Sequence, residues 1–353
     1  MPMLASIVVV VVVAGLGLWL GQIVALRGVL AIVVPYLAGA IFLVGICWRV
    51  LRWAAVPVPF RIPTTCGQQK SLAWLPHAKL ENPASTTATV VRMALEILLF
   101  RSLFRNSRSE LYRERLVIGE NKYLWFGALA FHWSLLVILL RHLRLFVEPV
   151  PGFVLRLQKL DGFFQLGAPE WYLSDLLIGL ALLYLLARRW RDPALRYLSL
   201  FTDYFAVCVL LGIALTGIAM RYFTKTDTAA VKQLALGLAT FSPTVPANLE
   251  GFFFAHLLLV SLLAAYFPFS KLVHMGGVFM SPTRNLANTS RIRRHINPWN
   301  YPVKTHSYAE WEEEFRDKII AAGLPLSTPA SATAALAGDA MESEGVRAAT
   351  NRS

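Results

Sequence analysis

A chain of 353 residues that is 56% hydrophobic and only 16% charged, with a mean hydropathy of +0.53, is not a string of soluble domains. Its apolar runs are about 20 residues long, enough as helices to cross a ~30 Å hydrocarbon core, and lack the alternation of porin strands, so the expected fold is an all-α integral membrane protein. The net charge of +13 then reports which loops stay in the cytoplasm, and nucleic acid is not an expected partner.

The first run, Met3 to about Leu20, has no basic residues ahead of it and reads as a retained anchor. Arg27 and Gly28 are expected to turn the chain into a second helix, about Val29 to Arg49, completing an N-terminal transmembrane hairpin over residues 1–52. Residues 53–122 form a cytoplasmic insert that is polar and Pro-containing, then basic, with Arg92, Arg101, Arg105, Arg108, Arg113 and Arg115 in its second half. Within it, TATVVRMALEILLFRSLF is interrupted by Arg92, Glu96 and Arg101 at helical spacing, which predicts an amphipathic helix at the membrane surface.

Four further spans are expected at about Tyr123 to Leu143, Trp171 to Leu186, Leu198 to Met220 and Phe252 to Val273, forming a four-helix core over 123–274 and making six transmembrane helices in all. Residues 275–353 are a cytoplasmic tail whose last thirty residues have the composition of a disordered end. With both termini inside, 26 Lys and Arg fall in the cytoplasm and 8 outside, which orients the helices in the cytoplasmic (inner) membrane. Cys47, Cys66 and Cys208 lie too far apart for a CxxC, a CxxCH or a ferredoxin-type run, so no iron–sulfur cluster and no covalently attached haem is expected on this chain.

Four of the seven histidines, His132, His142, His256 and His274, sit within or at the ends of the third and sixth spans, and ionisable groups at membrane depth are costly and usually functional. His132 and His142 are ten residues apart, about 15 Å along a helix; His256 and His274 are eighteen apart, about 27 Å. Three crossings separate the two spans, so they run antiparallel. That sets His132 opposite His274 near the cytoplasmic face and His142 opposite His256 near the outer face. Two stacked bis-imidazole sites of this kind fit two noncovalent b-type haems. Pro268 lies between the second pair and is expected to kink its helix. A histidine-relay transporter or proton channel without haem is the reading from a different class.

These spacings, with two helices between the histidine helices, resemble the cytochrome b subunit of respiratory nitrate reductase, the NarI-like family, over roughly Asn121 to Val278. Over the whole chain the sequence is similar to the DsrM-type cytochromes, the membrane subunits of sulfite-reduction-associated DsrMKJOP complexes. The stretches that carry it are ERLVIGENKYLWFGALAFHWSLLVILLRHLRLF, FFFAHLLLVSLLAAYFPFSKLVHMGG and SPTRNLANTSRIRRHINPWNYPVKTHSYAEWEEEFRDKIIAAGLPL. The resemblance implies that all four histidines bind haem iron. It also implies electron exchange with menaquinone and with a cytoplasmic iron–sulfur subunit similar to DsrK, in sulfite reduction or sulfur oxidation. Compared with the five-helix nitrate-reductase subunit, this chain has an additional N-terminal helix and a long insert, and neither shows a pattern that carries chemistry.

Haem propionates need cationic partners, and Arg141, Arg144 and Arg221 lie near outer helix ends, where they equally fit snorkelling side chains. For a quinone carbonyl the outer loop LRLQKLDGFF offers Lys159 and Asp161, against the plain reading of solvated loop charges. In the tail, Arg291, Arg293 and Arg294 beside Trp299, Tyr301, Tyr308 and Trp311 make a candidate docking face for a cytoplasmic subunit, or a contact with the membrane surface. His77, His295 and His306 read as surface or interface residues.

Overall fold

The computed structural model describes residues 1–56, 67–104, 108–164, 170–292 and 305–327. Cys66, Arg293, Arg294, His295, Trp299, Tyr301 and the low-complexity end lie outside the described residues. The first compact unit is Met1–Arg294 and the second His295–Ser353.

Helix α1 (Pro2–Leu20) opens on a proline at its first turn, where a missing N–H costs nothing. The chain reverses at Gly21–Ile23, earlier than expected, and α2 (Val24–Gly28) runs through a π turn (Val29–Val33) into α3 (Val34–Ala54). Arg27 is therefore inside the second helix. Its side chain reaches back to the carbonyls of Gly21 (2.8 Å) and Ala247 (2.9 Å). The π turn sits just ahead of Pro35, whose ring has no N–H to give to an i−4 carbonyl.

In the insert, α4 (Thr86–Leu99) starts at Ser85, whose hydroxyl accepts from the Ala88 amide, and stops at Phe100, which takes a left-handed backbone (φ 48°) before α5 (Arg101–Phe104). The expected amphipathic helix is present, but its polar face is turned onto this chain. Arg92, 2% exposed, donates to the carbonyls of Glu81, Thr283 and Arg284, and Arg284 reaches Glu96. Asn82 and Asn288 bond side chain to side chain beneath it. Val90, Val91, Ile97, Leu98 and Leu99 face outward.

Among the described residues the structure is helical apart from two short antiparallel strand pairs that the all-α expectation omitted. β1 (Arg108–Tyr112) pairs with β2 (Arg115–Gly119) across Arg113 and Glu114, both at positive φ, as a tight hairpin turn requires. β3 (Gly162–Phe164) pairs with β4 (Trp171–Tyr172).

The remaining helices of the first unit are α6 (Lys122–His142), α7 (Gly152–Asp161), α8 (Leu173–Arg191), α9 (Pro193–Leu198), α10 (Phe201–Ile218), α11 (Thr228–Ala239), α12 (Gly251–Tyr266), α13 (His274–Met280) and α14 (Pro282–Asn285). Among the described residues five helical stretches are long and apolar enough to cross a membrane: Pro2–Leu20, Val24–Ala54, Lys122–Leu145, Phe201–Phe223 and Gly251–Phe269. The one expected span missing from the five, Trp171 to Leu186, corresponds to α8, which carries Asp175 at one end and Arg188, Arg189 and Arg191 at the other.

The helices form a row in which α6 packs on α8, α8 on α10 and α10 on α12, while α1 and α3 flank α12. Phe131 packs with Ile178, Ala181 and Leu182 at one end of the row, and Val10 with Phe205, Cys208, Val209 and Leu259 at the other. The α1–α12 approach is close enough that a Cβ on Gly17 would stand 2.6 Å from the Ala255 Cα.

The last expected span is broken, not kinked. α12 ends at Tyr266, Phe267–Phe269 and Lys271–Val273 are separate 3-10 turns, and His274 opens α13. Pro268 removes a donor and crowds the preceding turn, and the Ser270 hydroxyl then caps a new start by accepting from the Leu272 amide (3.1 Å). Uniform helical arithmetic therefore does not relate His274 to His256. In the second unit, Ser307 and Glu310 cap α15 (Tyr308–Glu314), α16 (Arg316–Ala321) follows, and buried Glu312 accepts from the Ser327 amide and hydroxyl.

Candidate functional site

All four histidines present the same ring nitrogen to the protein. Nδ1 of His132 contacts the Ala128 carbonyl (2.7 Å), that of His142 the Ile138 carbonyl (2.7 Å) and that of His274 the Lys271 carbonyl (2.9 Å). Nδ1 of His256 contacts the Thr216 hydroxyl at 3.0 Å, and that hydroxyl gives its own proton to the Gly212 carbonyl (2.8 Å). A carbonyl only accepts, and a hydroxyl whose proton is spent also accepts, so each Nδ1 carries the hydrogen. Each Nε2 is left with a free lone pair. This is the tautomer and orientation that a metal-binding imidazole needs.

The His132 and His274 ring centres are 6.0 Å apart with planes at 85°. Phe100 and Phe131 each approach His132 edge-on at 4.8 Å, so the left-handed corner after α4 forms part of the wall. His142, the last residue of α6, lies near His256 on α12. The His132–His274 spacing fits haem: two imidazole nitrogens each ~2 Å from one iron would place their ring centres about 6 Å apart. Among the described residues no group of three or more His, Cys, Asp or Glu is placed to hold a bare ion. A porphyrin needs only a pair, because it supplies four nitrogens itself.

Beside His142 lies a buried ionic cluster whose members are far apart in sequence. Arg141 bonds Asp161 (2.9 Å) and Asp175 (2.7 Å). Asp161, 8% exposed, also accepts from the Ser174 amide and hydroxyl, and Asp175 accepts from the Tyr222 hydroxyl. The Tyr172 ring has the Arg141 guanidinium 3.8 Å and the Arg221 guanidinium 3.9 Å from its centroid, so the two cations must stack on opposite faces. Arg221 also donates to the Glu170 carbonyl (2.9 Å), and Arg144 to Gln158 (3.0 Å).

Asp161 is thus a buried ion-pair partner, not a solvated loop charge, whereas Lys159 two residues earlier is exposed. Thr216, Tyr172, Asp175 and Tyr222 were not singled out from the sequence. A hydroxyl in the apolar run LLGIALTGIAM and a carboxylate in the first turn of α8 were the available signals.

Apolar helices long enough to span a membrane, with two histidine rings from different helices brought 6.0 Å apart, suit the class of membrane cytochromes b. Residues 93–295 match the nitrate reductase gamma subunit family, and the chain belongs to that NarI-like family. It is 44% identical over 279 residues to the Hdr-like menaquinol oxidoreductase cytochrome b-like subunit of Archaeoglobus fulgidus, an alignment covering 77% of this chain and 83% of that protein. Its identity to the protein of the same name from Archaeoglobus profundus is 40% over 276 residues, covering 75% and 81%.

Proposed function

We propose that this chain is the di-haem cytochrome b subunit of a membrane menaquinol oxidoreductase, carrying electrons between menaquinol and a cytoplasmic iron–sulfur subunit similar to DsrK. The observation that carries it is the common state of the four histidines: Nδ1 engaged, Nε2 free, and the His132 and His274 rings 6.0 Å apart. His132 and His274 hold the cytoplasmic-side haem b, and His142 and His256 the outer one. Bound haem supplies one-electron carriers at two depths. A proton relay is disfavoured because Nδ1 of His132, His142 and His274 is committed to a carbonyl of its own chain segment and has no proton route onward.

On this reading α8 also crosses the membrane, making six spans, and both termini are cytoplasmic. The Nε atoms of Arg141 and Arg221, buried without a hydrogen-bond partner, are donors suited to a propionate, as is Arg144. Exposed Lys159, close in sequence to the Arg141–Asp161–Asp175 cluster, is the candidate quinol contact on the outer side. Quinol oxidation there would release protons outside while electrons move inward. The names of the relatives support membership of a multi-subunit complex. The DsrM-type resemblance extends this to a DsrMKJOP-type assembly in sulfite reduction or sulfur oxidation.

A reduced-minus-oxidised spectrum with haem quantitation tests the reading: two b haems per chain are expected, and no α-band would refute it. His132→Ala or His274→Ala should remove one haem, and His142→Ala or His256→Ala the other. Loss of the same haem in His132→Ala and His256→Ala would overturn the pairing. Replacing His142 should also block reduction of the remaining haem by quinol; reduction at the wild-type rate would move the quinone site to the cytoplasmic side.

A further inference from the structure

His274 follows a helix break, so something other than helical continuity must set its position. The structure places α3 along that break, level by level. The Phe42 ring lies on Phe267 (5.7 Å between centroids) and Trp48 on Phe269 (6.1 Å). Gly45 admits Pro268 so closely that a Cβ there would stand 2.7 Å from the proline Cβ. Arg49 then donates from Nε to the Pro268 carbonyl (2.9 Å) and from Nη2 to the Ser270 carbonyl (3.4 Å). Further on, Trp53 comes within 4 Å of the Cβ positions of Gly276 and Gly277, just past His274, and the Arg49 guanidinium lies over the Trp53 ring at 5.9 Å.

Residues 42, 45, 49 and 53 recur at the three- and four-residue steps of one helix face. A broken helix leaves its last carbonyls without N–H partners, and a guanidinium both satisfies them and complements the negative end of the helix dipole. Arg49 bonds one such carbonyl, that of Pro268, and also the carbonyl of Ser270, the extended residue that caps the next turn. The next carbonyl, that of Lys271, fixes the His274 ring through Nδ1.

We infer that Arg49 is a positioning residue for His274, and that the N-terminal hairpin splints the cytoplasmic-side imidazole pair in addition to anchoring the chain. The inference rests on the proposed role of His274 as a haem ligand. An arginine at the end of a membrane helix ordinarily snorkels towards lipid headgroups, but this one points into the chain. Arg52, three residues on, provides the contrast: it is exposed and lies over Trp48 at 5.3 Å.

The test measures six-coordinate low-spin haem per chain in the purified protein, by recording reduced spectra with and without carbon monoxide, which binds only where an imidazole has let go. His274→Ala sets the scale, with one low-spin haem in place of two. Arg49→Gln should fall toward that value, a loss of up to half, with the new carbon-monoxide-reactive haem on the cytoplasmic side. Arg49→Lys, which keeps a cationic donor, should recover most of it, and Arg52→Gln should match wild type. If Arg49→Gln accumulates poorly, Gly45→Leu replaces it, with Gly39→Leu as control because no atom lies within 4 Å of a Cβ at Gly39. Gly45→Leu should lose low-spin haem and Gly39→Leu should not. The inference is overturned if Arg49→Gln equals Arg52→Gln, if Arg49→Lys is as impaired as Arg49→Gln, or if the two glycine variants behave alike. If His274→Ala itself retains two low-spin haems, the ligand assignment fails instead.

Discussion

Arg141→Met removes the cation that two buried carboxylates share. The side chains of Arg141, Asp161 and Asp175 are 10%, 6% and 13% exposed, so water cannot replace what is lost. Breaking a buried pair by deleting one partner costs about 3–5 kcal/mol, because a charge is left uncompensated. Here Asp161 keeps two donors from Ser174 and Asp175 keeps Tyr222, which favours the lower end, about 3 kcal/mol. For a helical body spanning Met1–Arg294 that corresponds to a fall in apparent Tm of roughly 5 °C, read by thermal unfolding in detergent. Adding Asp161→Asn and Asp175→Asn to Arg141→Met should restore most of the loss, since the neutral amides leave no buried net charge, the Asn oxygen at 161 still accepts from the Ser174 amide, and its NH2 can donate to the Ser174 hydroxyl. On the proposed ligation by His142, the midpoint potential of the outer haem should also fall in Arg141→Met, because a neighbouring cation is gone. A fall below about 2 °C, or a triple variant no better than the single, would refute the claim that the cluster is an ionic keystone.

Three further outcomes are expected. If His256 ligates the outer haem as proposed, Thr216→Val takes away an acceptor of its Nδ1–H and makes the imidazole a weaker donor, raising that haem's potential by roughly 20–40 mV for a bond worth ~0.5–1 kcal/mol; the Ile213 carbonyl as a fallback favours the lower end, and an unchanged or lower potential in a redox titration counts against it. Arg92→Met strands the carbonyls of Glu81, Thr283 and Arg284, so limited proteolysis within residues 67–104 should speed up at least tenfold; wild-type resistance would show that this guanidinium, whose pKa burial lowers, is not what ties the segment down. The Asp227 carboxyl is held below its ordinary range by the Ala229 and Ala230 amides that it caps, so its contribution to α11 is full above the unfolded value near ~3.9 and disappears as pH falls through the lower folded value. Hydrogen exchange at those amides should follow that window in wild type and lose it in Asp227→Ala.

The sequence makes α6 legible because one uninterrupted apolar run carries both histidines, and nothing tertiary redirects it. It makes α12 only half legible. Pro268 announces a disturbance, but whether a proline bends a helix or ends it depends on what receives the freed carbonyls, and here that is Arg49, more than 200 residues away. Amphipathicity identifies the apolar face of α4 but not the surroundings of its polar face, so the inward turn of Arg92 onto Thr283 and Arg284 escapes any local pattern. Asp161 shows the same limit. Its partner Arg141 lies twenty residues earlier on another helix, so a buried ion pair and a wet loop charge look identical along the chain.

The close seating of α12 on α1 also fixes an order of events during synthesis. His132 and His142 lie on α6, but their proposed partners come only after residue 250, His256 on the last long apolar stretch and His274 just beyond it. At ~10 residues per second the first half of each pair waits on the order of ten seconds for the second. In that interval the half-built core exposes two imidazoles and no opposing wall. Closure comes when the emerging helix slides against a hairpin that was made first, through the contact at Gly17 and Ala255, one residue from His256. On the proposed reading, haem capture is then among the final steps of biogenesis, and a chain stalled before residue 250 would reach the membrane without being able to retain either cofactor.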